Sequence, residues 1–345
     1  MDKKNLVGLT LKEIAQEISF LGLPSYASRD IALWIYSKGA TAFAEMTNIS
    51  LKARKELSDN FKIDLFPPNK VSISVDGTKK YLFSALPSRY VETAYLPEKT
   101  RNTLCVSTQV GCKMGCLFCM TARQGFQGHL KCSEILNQIY SLPERKEVTN
   151  LVYMGMGEPF DNTDEVLKSL EILTSDYGPG FSPKKITVST IGLIPGMKRF
   201  IEETKCQLAI SLHSPFDEER ALLMPVENIY PVRKVVDLLK SFDLNKQRRI
   251  SFEYILFKGI NDSKAHINQL ARLLNGLRSH INLMHFHPIP GTTLVGTTDL
   301  ELQEFKNNLN KKGILTTMRA TRGLDIFAAC GMLSTKEVQK TILNV

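Results

Sequence analysis

The stretch Thr103-Leu104-Cys105-Val106-Ser107-Thr108-Gln109-Val110-Gly111-Cys112-Lys113-Met114-Gly115-Cys116-Leu117-Phe118-Cys119 decides how the chain is read. It opens with a short apolar run of strand type and ends on three cysteines spaced C-x3-C-x2-C. Thiolates at that spacing can ligate three irons of a cubane cluster and leave the fourth iron open to a ligand's amino and carboxylate groups. Ferredoxin-type carriers saturate all four irons, commonly with a cysteine before proline, and no Cys-Pro occurs here. Zinc would need a fourth nitrogen or sulfur, for which His129 and Cys132 are available. Buried structural thiols are the remaining reading.

Outward from this loop the text becomes rhythmic. Strand-like runs at 151–154, 186–189, 208–211, 250–255 and 281–284 alternate with helical patterns at 134–142, 165–173, 235–239 and 267–274. With 103–107 these make six strands, each returning through helix. The expectation is an α/β fold of right-handed βαβ units around a parallel sheet, a partial (βα)6 barrel. Polar or glycine residues follow the strands: Gly157-Glu158, Ser189-Thr190, Ser211-Leu212-His213 and His287. In parallel barrels those strand ends form the active-site face. A glycine there lets backbone approach a ligand, and a carboxylate beside it can accept from an ammonium. The plain alternatives are a tight turn with Glu158 in solvent, and local caps or satisfied core groups for Ser189, Ser211 and His213.

Upstream, residues 1–66 read as a small helical unit. Thr10 and Glu13 form a capping-box pattern before Leu11, Ile14, Ile18 and Leu21, and Gly22 and Pro24 stop that helix. A second helix carries Ile31, Trp34 and Ile35 up to Gly39, and a third opens at Ser50 with Lys52, Arg54 and Lys55. Those bases form either a solvated face or an RNA contact. Residues 67–100 follow Pro67-Pro68 as a β-hairpin extension, in which Val71, Ile73 and Val75 alternate into Asp76-Gly77 and Tyr81-Leu82-Phe83 returns. Residues 101–345 form the expected catalytic segment.

The formal charge of +9 suits a polyanionic partner such as RNA, and equally suits plain solubility. Residues 1–70 hold ten Lys and Arg against eight Asp and Glu, so the excess is not concentrated there. Seven cysteines, three of them crowded into eight residues, are not a secreted disulfide framework. No run of eighteen apolar residues and no apolar signal core occur, so a cytoplasmic protein without a membrane span is expected.

The cysteine loop, with Phe118 before its last cysteine, resembles the signature of the radical S-adenosylmethionine (SAM) superfamily. Tyr153-Met154-Gly155-Met156-Gly157-Glu158-Pro159 resembles that superfamily's glycine–glutamate–proline motif. In order along the chain come Leu104-Cys105, Thr121-Ala122-Arg123-Gln124-Gly125-Phe126, Ser189-Thr190-Ile191-Gly192, Ser211-Leu212-His213-Ser214-Pro215 and Ala329-Cys330-Gly331. Together they resemble the dual-specificity 23S rRNA/tRNA adenine-C2 methyltransferases over essentially the whole chain. The C8 methyltransferases that confer ribosomal antibiotic resistance share the cysteine pair, and Thr121 to Phe126 reads more like the C2 group. One position departs: His287 stands where an asparagine often contacts SAM.

The resemblance implies a 4Fe–4S cluster on Cys112, Cys116 and Cys119, and SAM bound by Gly157, Glu158, Ser189, Ser211, Leu212, His213 and His287. The implied substrates are adenosines in the peptidyl-transferase region of 23S rRNA and in the tRNA anticodon loop. C2 of adenine is a poor nucleophile, so polar displacement on SAM would fail. Cys330 is implied to take a methyl group from one SAM, and a second SAM is cleaved to a 5′-deoxyadenosyl radical that activates that methyl. Glu92 is implied to remove the C2 proton, and Cys105 to release the base by forming a disulfide with Cys330. An external electron donor of flavodoxin or ferredoxin type and a monomeric state complete the expectation. A radical SAM enzyme acting on a non-RNA substrate is the rival reading. Absent the resemblance, Cys105 and Cys330 would read as core or loop packing.

Overall fold

Asp76-Gly77 turns the chain between β1 (Lys70–Ile73) and β2 (Lys79–Ser84), which pair antiparallel with Val71 opposite Tyr81. β3 (Tyr90–Pro97) pairs with β2 and then with β4 (Asn102–Cys105), where Ala94 faces Cys105. The strands expected as a separate extension thus continue the main sheet. A computed structural model describes residues 3–85, 87–244 and 250–335. Met1 and Asp2 of the leader reading, and 336–345 of the expected catalytic segment, lie outside them.

From β4 onward the pairing is parallel, through β5 (Asn150–Tyr153), β6 (Ile186–Thr190), β7 (Gln207–Ser211), β8 (Ile250–Leu256), β9 (Ser279–His285) and β10 (Thr316–Met318). The six expected strands are present, and β10 adds a seventh that the periodicity misses because it is three residues long. Strand order follows chain order without interruption, so one ten-stranded sheet runs from β1 to β10. The parallel strands are apolar runs because both faces are covered; every residue of β8 is buried.

Helices close each crossover. α1 (Leu11–Glu17), α2 (Ala27–Leu33) and α3 (Leu51–Asn60) belong to the N-terminal segment, and α4 (Met120–Gln124) and α5 (Cys132–Tyr140) lie between β4 and β5. α6 (Thr163–Thr174) and α7 (Ile194–Glu203) follow β5 and β6. α8 (Asp217–Leu223) and α9 (Val232–Ser241) follow β7, α10 (Lys264–Leu273) follows β8, and α11 (Asp299–Lys311) follows β9. The capping box at α1 is formed: Thr10 Oγ1 accepts from Glu13 N at 3.3 Å and the Glu13 carboxylate from Thr10 N at 2.8 Å.

The N-terminal segment shares one apolar core with the barrel, from Leu6, Ile14 and Tyr36 to Tyr140 and Leu170. Tyr36 Oη donates to Leu9 O at 2.6 Å, Leu11 N donates to Tyr177 Oη at 3.4 Å, and Lys168 pairs with Glu13 at 2.6 Å. Among the described residues, no helix is long and apolar enough to cross a membrane.

Candidate active site

Past the C-terminal ends of the parallel strands lies a cavity, and the cysteine loop forms one of its walls. Cys112, Cys116 and Cys119 all line it. Leu117 N donates to Leu223 O at 3.0 Å and Met120 N to Gly331 O at 2.7 Å, which bind the loop to α8 and to the C-terminal segment. Phe118 packs edge-on against the His213 ring at 4.6 Å and against Phe257 at 5.8 Å, so this aromatic anchors the loop to the barrel wall.

Burial pushes the Cys112 thiol up to about 12; the Met114 amide works against that, and neighbouring Cys119 adds to it. Left alone, such sulfurs keep their protons. A polycationic iron cluster is the kind of partner that would hold them as thiolates. The two other candidates for a zinc site stand elsewhere. Cys132 is packed in the core, and the His129 ring bonds Gln109 at 3.1 Å. Among the described residues no three His, Cys, Asp or Glu side chains converge as one ion requires. The donor set therefore fits three sulfurs on three irons.

The rim opposite is built from strand ends. Gly157 has a φ of 99°, and a side chain there would run into Gln109 at 2.5 Å, so only glycine brings backbone this close. Glu158 is buried, not solvated. Its carboxylate accepts from the Thr190 hydroxyl at 2.6 Å, from Phe160 N at 3.0 Å and from Ile191 N at 3.0 Å, tying the end of β5 to that of β6. Burial lifts its pKa to about 7, against these hydrogen bonds. Ser189, Ser211, His213 and His287 also line the cavity. His213 Nδ1 accepts from Ile255 N at 3.0 Å, so the neutral ring carries its proton on Nε2.

Leu212 stands apart from the other expected SAM residues. Its side chain is in the barrel core and does not line the cavity; its backbone carbonyl accepts from Arg220 Nε at 3.0 Å. Arg220, fully buried, also donates to Ile191 O at 2.8 Å and Ser211 O at 2.9 Å, and pairs with Glu227. It spends its guanidinium on fixing the strand ends that form the rim.

The C-terminal segment closes the cavity and carries the fourth wall thiol. Cys105 at the end of β4 and Cys330 both line the cavity as free cysteines, the first buried and the second half-buried. Burial and the nearby Cys330 sulfur push Cys105 up to about 12, with Arg319 opposing. Arg319 is itself held charged by Cys330 first, and also by Glu253 and Cys105. Its NH1 donates to Met154 Sδ at 3.2 Å across the barrel.

The turn at Asp76 holds this segment down. Asp76 Oδ2 accepts from Arg322 Nε at 3.1 Å and from Gly323 N at 2.9 Å. Asp325 in return accepts from Ser74 Oγ at 2.5 Å and Val75 N at 3.1 Å. Glu92 lies outside the cavity lining, on the same β3 face as Ala94 and Leu96. It pairs with Lys80 at 2.8 Å and accepts from Ser334 N at 2.9 Å. Burial raises its pKa, and Lys80 opposes the rise.

Residue-by-residue reading missed Arg319, Glu253 and Thr190. A signal existed for Glu253, which is the one charged side chain inside the apolar run of β8. Arg319 has no comparable local signature.

Three loop thiols at the C-terminal mouth of a parallel α/β sheet are the hallmark of a radical SAM protein, and residues 106–272 match the Radical SAM superfamily. Residues 4–63 match the ribosomal RNA large subunit methyltransferase N-terminal domain. The chain is 54% identical over 335 residues to the "Probable dual-specificity RNA methyltransferase RlmN" of Parabacteroides distasonis, covering 97% of this chain and 98% of that one. To the "Dual-specificity RNA methyltransferase RlmN" of Syntrophus aciditrophicus it is 42% identical, covering 99% of each. A radical SAM methyltransferase from Sphaerobacter thermophilus, known as a crystal structure, superposes with a TM-score of 0.88 at 36% identity, covering 96% of this chain and 99% of that one. The chain belongs to the RlmN family of radical SAM RNA methyltransferases, whose cofactors are a 4Fe–4S cluster and SAM.

Proposed function

We propose that the chain methylates C2 of an adenosine, in the peptidyl-transferase region of 23S rRNA and in the tRNA anticodon loop, through a methyl group carried on Cys330. The observation that carries this reading is the placement of two further free thiols, Cys105 and Cys330, in the cavity of the three loop thiols, with Arg319 beside them. Radical SAM chemistry by itself requires no such pair.

Cys112, Cys116 and Cys119 would hold the cluster, and Gly157, Glu158, Ser189, Ser211, His213 and His287 would bind SAM. The cluster, when bound, supplies the one-electron cleavage of SAM that an unreactive ring carbon demands. Cys330 takes a methyl group as a thioether, its thiolate favoured by Arg319. Once that methyl has lost a hydrogen atom, its carbon bonds to C2. Glu92, kept as a carboxylate by Lys80, takes the C2 proton. The Cys105 sulfur attacks that of Cys330, the bond from Cys330 to the methyl carbon breaks, and the methylated base leaves behind a disulfide. An external reductant reopens it. A flavodoxin or ferredoxin supplies the electrons, and the chain works as a monomer.

The test separates the two thiols. Cys330→Ala, with no sulfur to methylate, transfers nothing and forms no adduct. Cys105→Ala completes the transfer to the base but cannot release it, so a covalent protein–RNA species accumulates and is seen by gel electrophoresis and mass spectrometry. Normal turnover by Cys105→Ala, or 8-methyladenosine as the product, overturns the reading.

A further inference from the structure

A charged group inside a sheet is costly unless every acceptor is used. Glu253, in the middle of β8, is 3% exposed. It is level with Ser211 on one neighbouring strand and Asn282 on the other. Its two carboxylate oxygens have different fates. Oε1 accepts from Ser251 Oγ at 2.8 Å and from Asn282 Nδ2 at 3.1 Å. Asn282 cannot turn away, because its Oδ1 accepts from the Thr317 hydroxyl while its amide nitrogen also donates to Ser251 Oγ at 3.1 Å. Three strands thus fix the carboxylate. Oε2 is buried without a hydrogen-bond partner, and Glu253 lines the cavity. Nearby Arg319 does not fill the vacancy: its NH1 is turned to Met154.

We propose that Glu253 is a nucleoside-binding residue, whose free Oε2 accepts a hydrogen bond from a hydroxyl or amino group of an adenosine held in the cavity. This rests on the proposed reaction, which brings two adenosines there, that of SAM and the target in RNA. Both offer the same donors, the ribose hydroxyls and the exocyclic amine. A pinned, water-poor carboxylate oxygen is a strong acceptor for either.

Glu253→Gln tests this with little change of shape. The amide oxygen can keep the bonds from Ser251 and Asn282, and its NH2 then faces the cavity, so the free acceptor becomes a donor. On the reconstituted holoenzyme, two affinities are measured: S-adenosylhomocysteine by calorimetry, and a target RNA hairpin by fluorescence anisotropy. A loss of about ten- to a hundredfold in the first assigns Glu253 to the adenosine of SAM, and the same loss in the second assigns it to the target. In parallel, the native protein is offered S-adenosylhomocysteine lacking the 2′-hydroxyl, the 3′-hydroxyl or the amine, and hairpins lacking the same groups at the target nucleotide. One of these is expected to bind about tenfold or more weakly, and this arm decides even if the variant fails to fold. Native affinity of Glu253→Gln for both ligands, or equal binding of every analogue by the native protein, overturns the proposal. Failure of the native protein to bind S-adenosylhomocysteine or the hairpin at all would instead count against the proposed reaction.

Discussion

His213 occupies a left-handed backbone conformation, with φ at 55°, that a bulky side chain adopts only at a cost of about 1–3 kcal/mol. Its surroundings hold it there. Asn261 bonds its carbonyl, Ile255 N donates to its Nδ1, and Phe118 covers the ring. Burial, with Arg220 nearby, drops its pKa to about 3. The folded protein therefore keeps a neutral imidazole at a pH where the unfolded chain has taken up a proton. The unfolded state binds more protons below about pH 6.5, so this residue removes stability as pH falls. Between about pH 6.5 and about pH 5 the loss should be about 2 kcal/mol. Urea titrations of His213→Gln should show that part of the acid sensitivity gone; an unchanged slope against pH would contradict a neutral buried histidine. At this scale the sequence is readable where chemistry is local. The cysteine loop and Gly157-Glu158 declare themselves by spacing. Glu253 and Arg319 do not, because their partners come from other strands. Glu158 shows the same limit from the other side: nothing local says that its carboxylate binds β5 to β6 through Thr190 and Ile191.

The hairpin of β1 and β2 does more than extend the sheet. Through Asp76, Ser74 and Val75 it grips the segment that carries Cys330. Asp76→Ala removes the acceptor shared by Arg322 and Gly323. It should cost about 1–3 kcal/mol in stability and expose residues 320–330 to protease while leaving S-adenosylhomocysteine affinity intact. Unchanged cleavage there would mean that Asp325 holds the segment alone. Legibility differs from element to element. Asp76-Gly77 between alternating apolar residues announces a turn, and the capping box announces α1. α8, rich in acidic residues and flanked by Pro215 and Pro225, lacks the apolar spacing that marks α6 and α9. The continuity of the hairpin with the parallel strands depends on the Ala94–Cys105 register, which no single segment encodes.

Across the whole molecule, the N-terminal segment and the barrel are joined by shared apolar burial, so removing the segment would bare barrel side chains as well as any RNA contact. Charge reversal is the cleaner probe. Lys52 and Lys55 on α3 are exposed, whereas Arg54 donates to Ala44 O at 2.7 Å. If α3 meets phosphates, the Lys52→Glu, Lys55→Glu double variant should weaken RNA binding and reduce the slope of log affinity against log salt by about two, with an unaltered melting temperature. An unaltered slope would make α3 a solvated face. Alternation of strands with helices made the α/β architecture legible in advance, since both periods are local; the docking of the first segment was not, because Tyr36, Tyr140 and Tyr177 meet only in three dimensions. The grip of the hairpin on the last segment has a kinetic meaning as well. Cys105 and Cys330 are distant in the chain, and in an open segment they would find each other only as often as a long tether allows. Pinned at Asp76 and Asp325, the Cys330 sulfur is presented to its partner at an effective concentration above the millimolar values of flexible links. A free small-molecule thiol in the surrounding solution would have to reach that concentration before it could compete for the methylene-bearing sulfur.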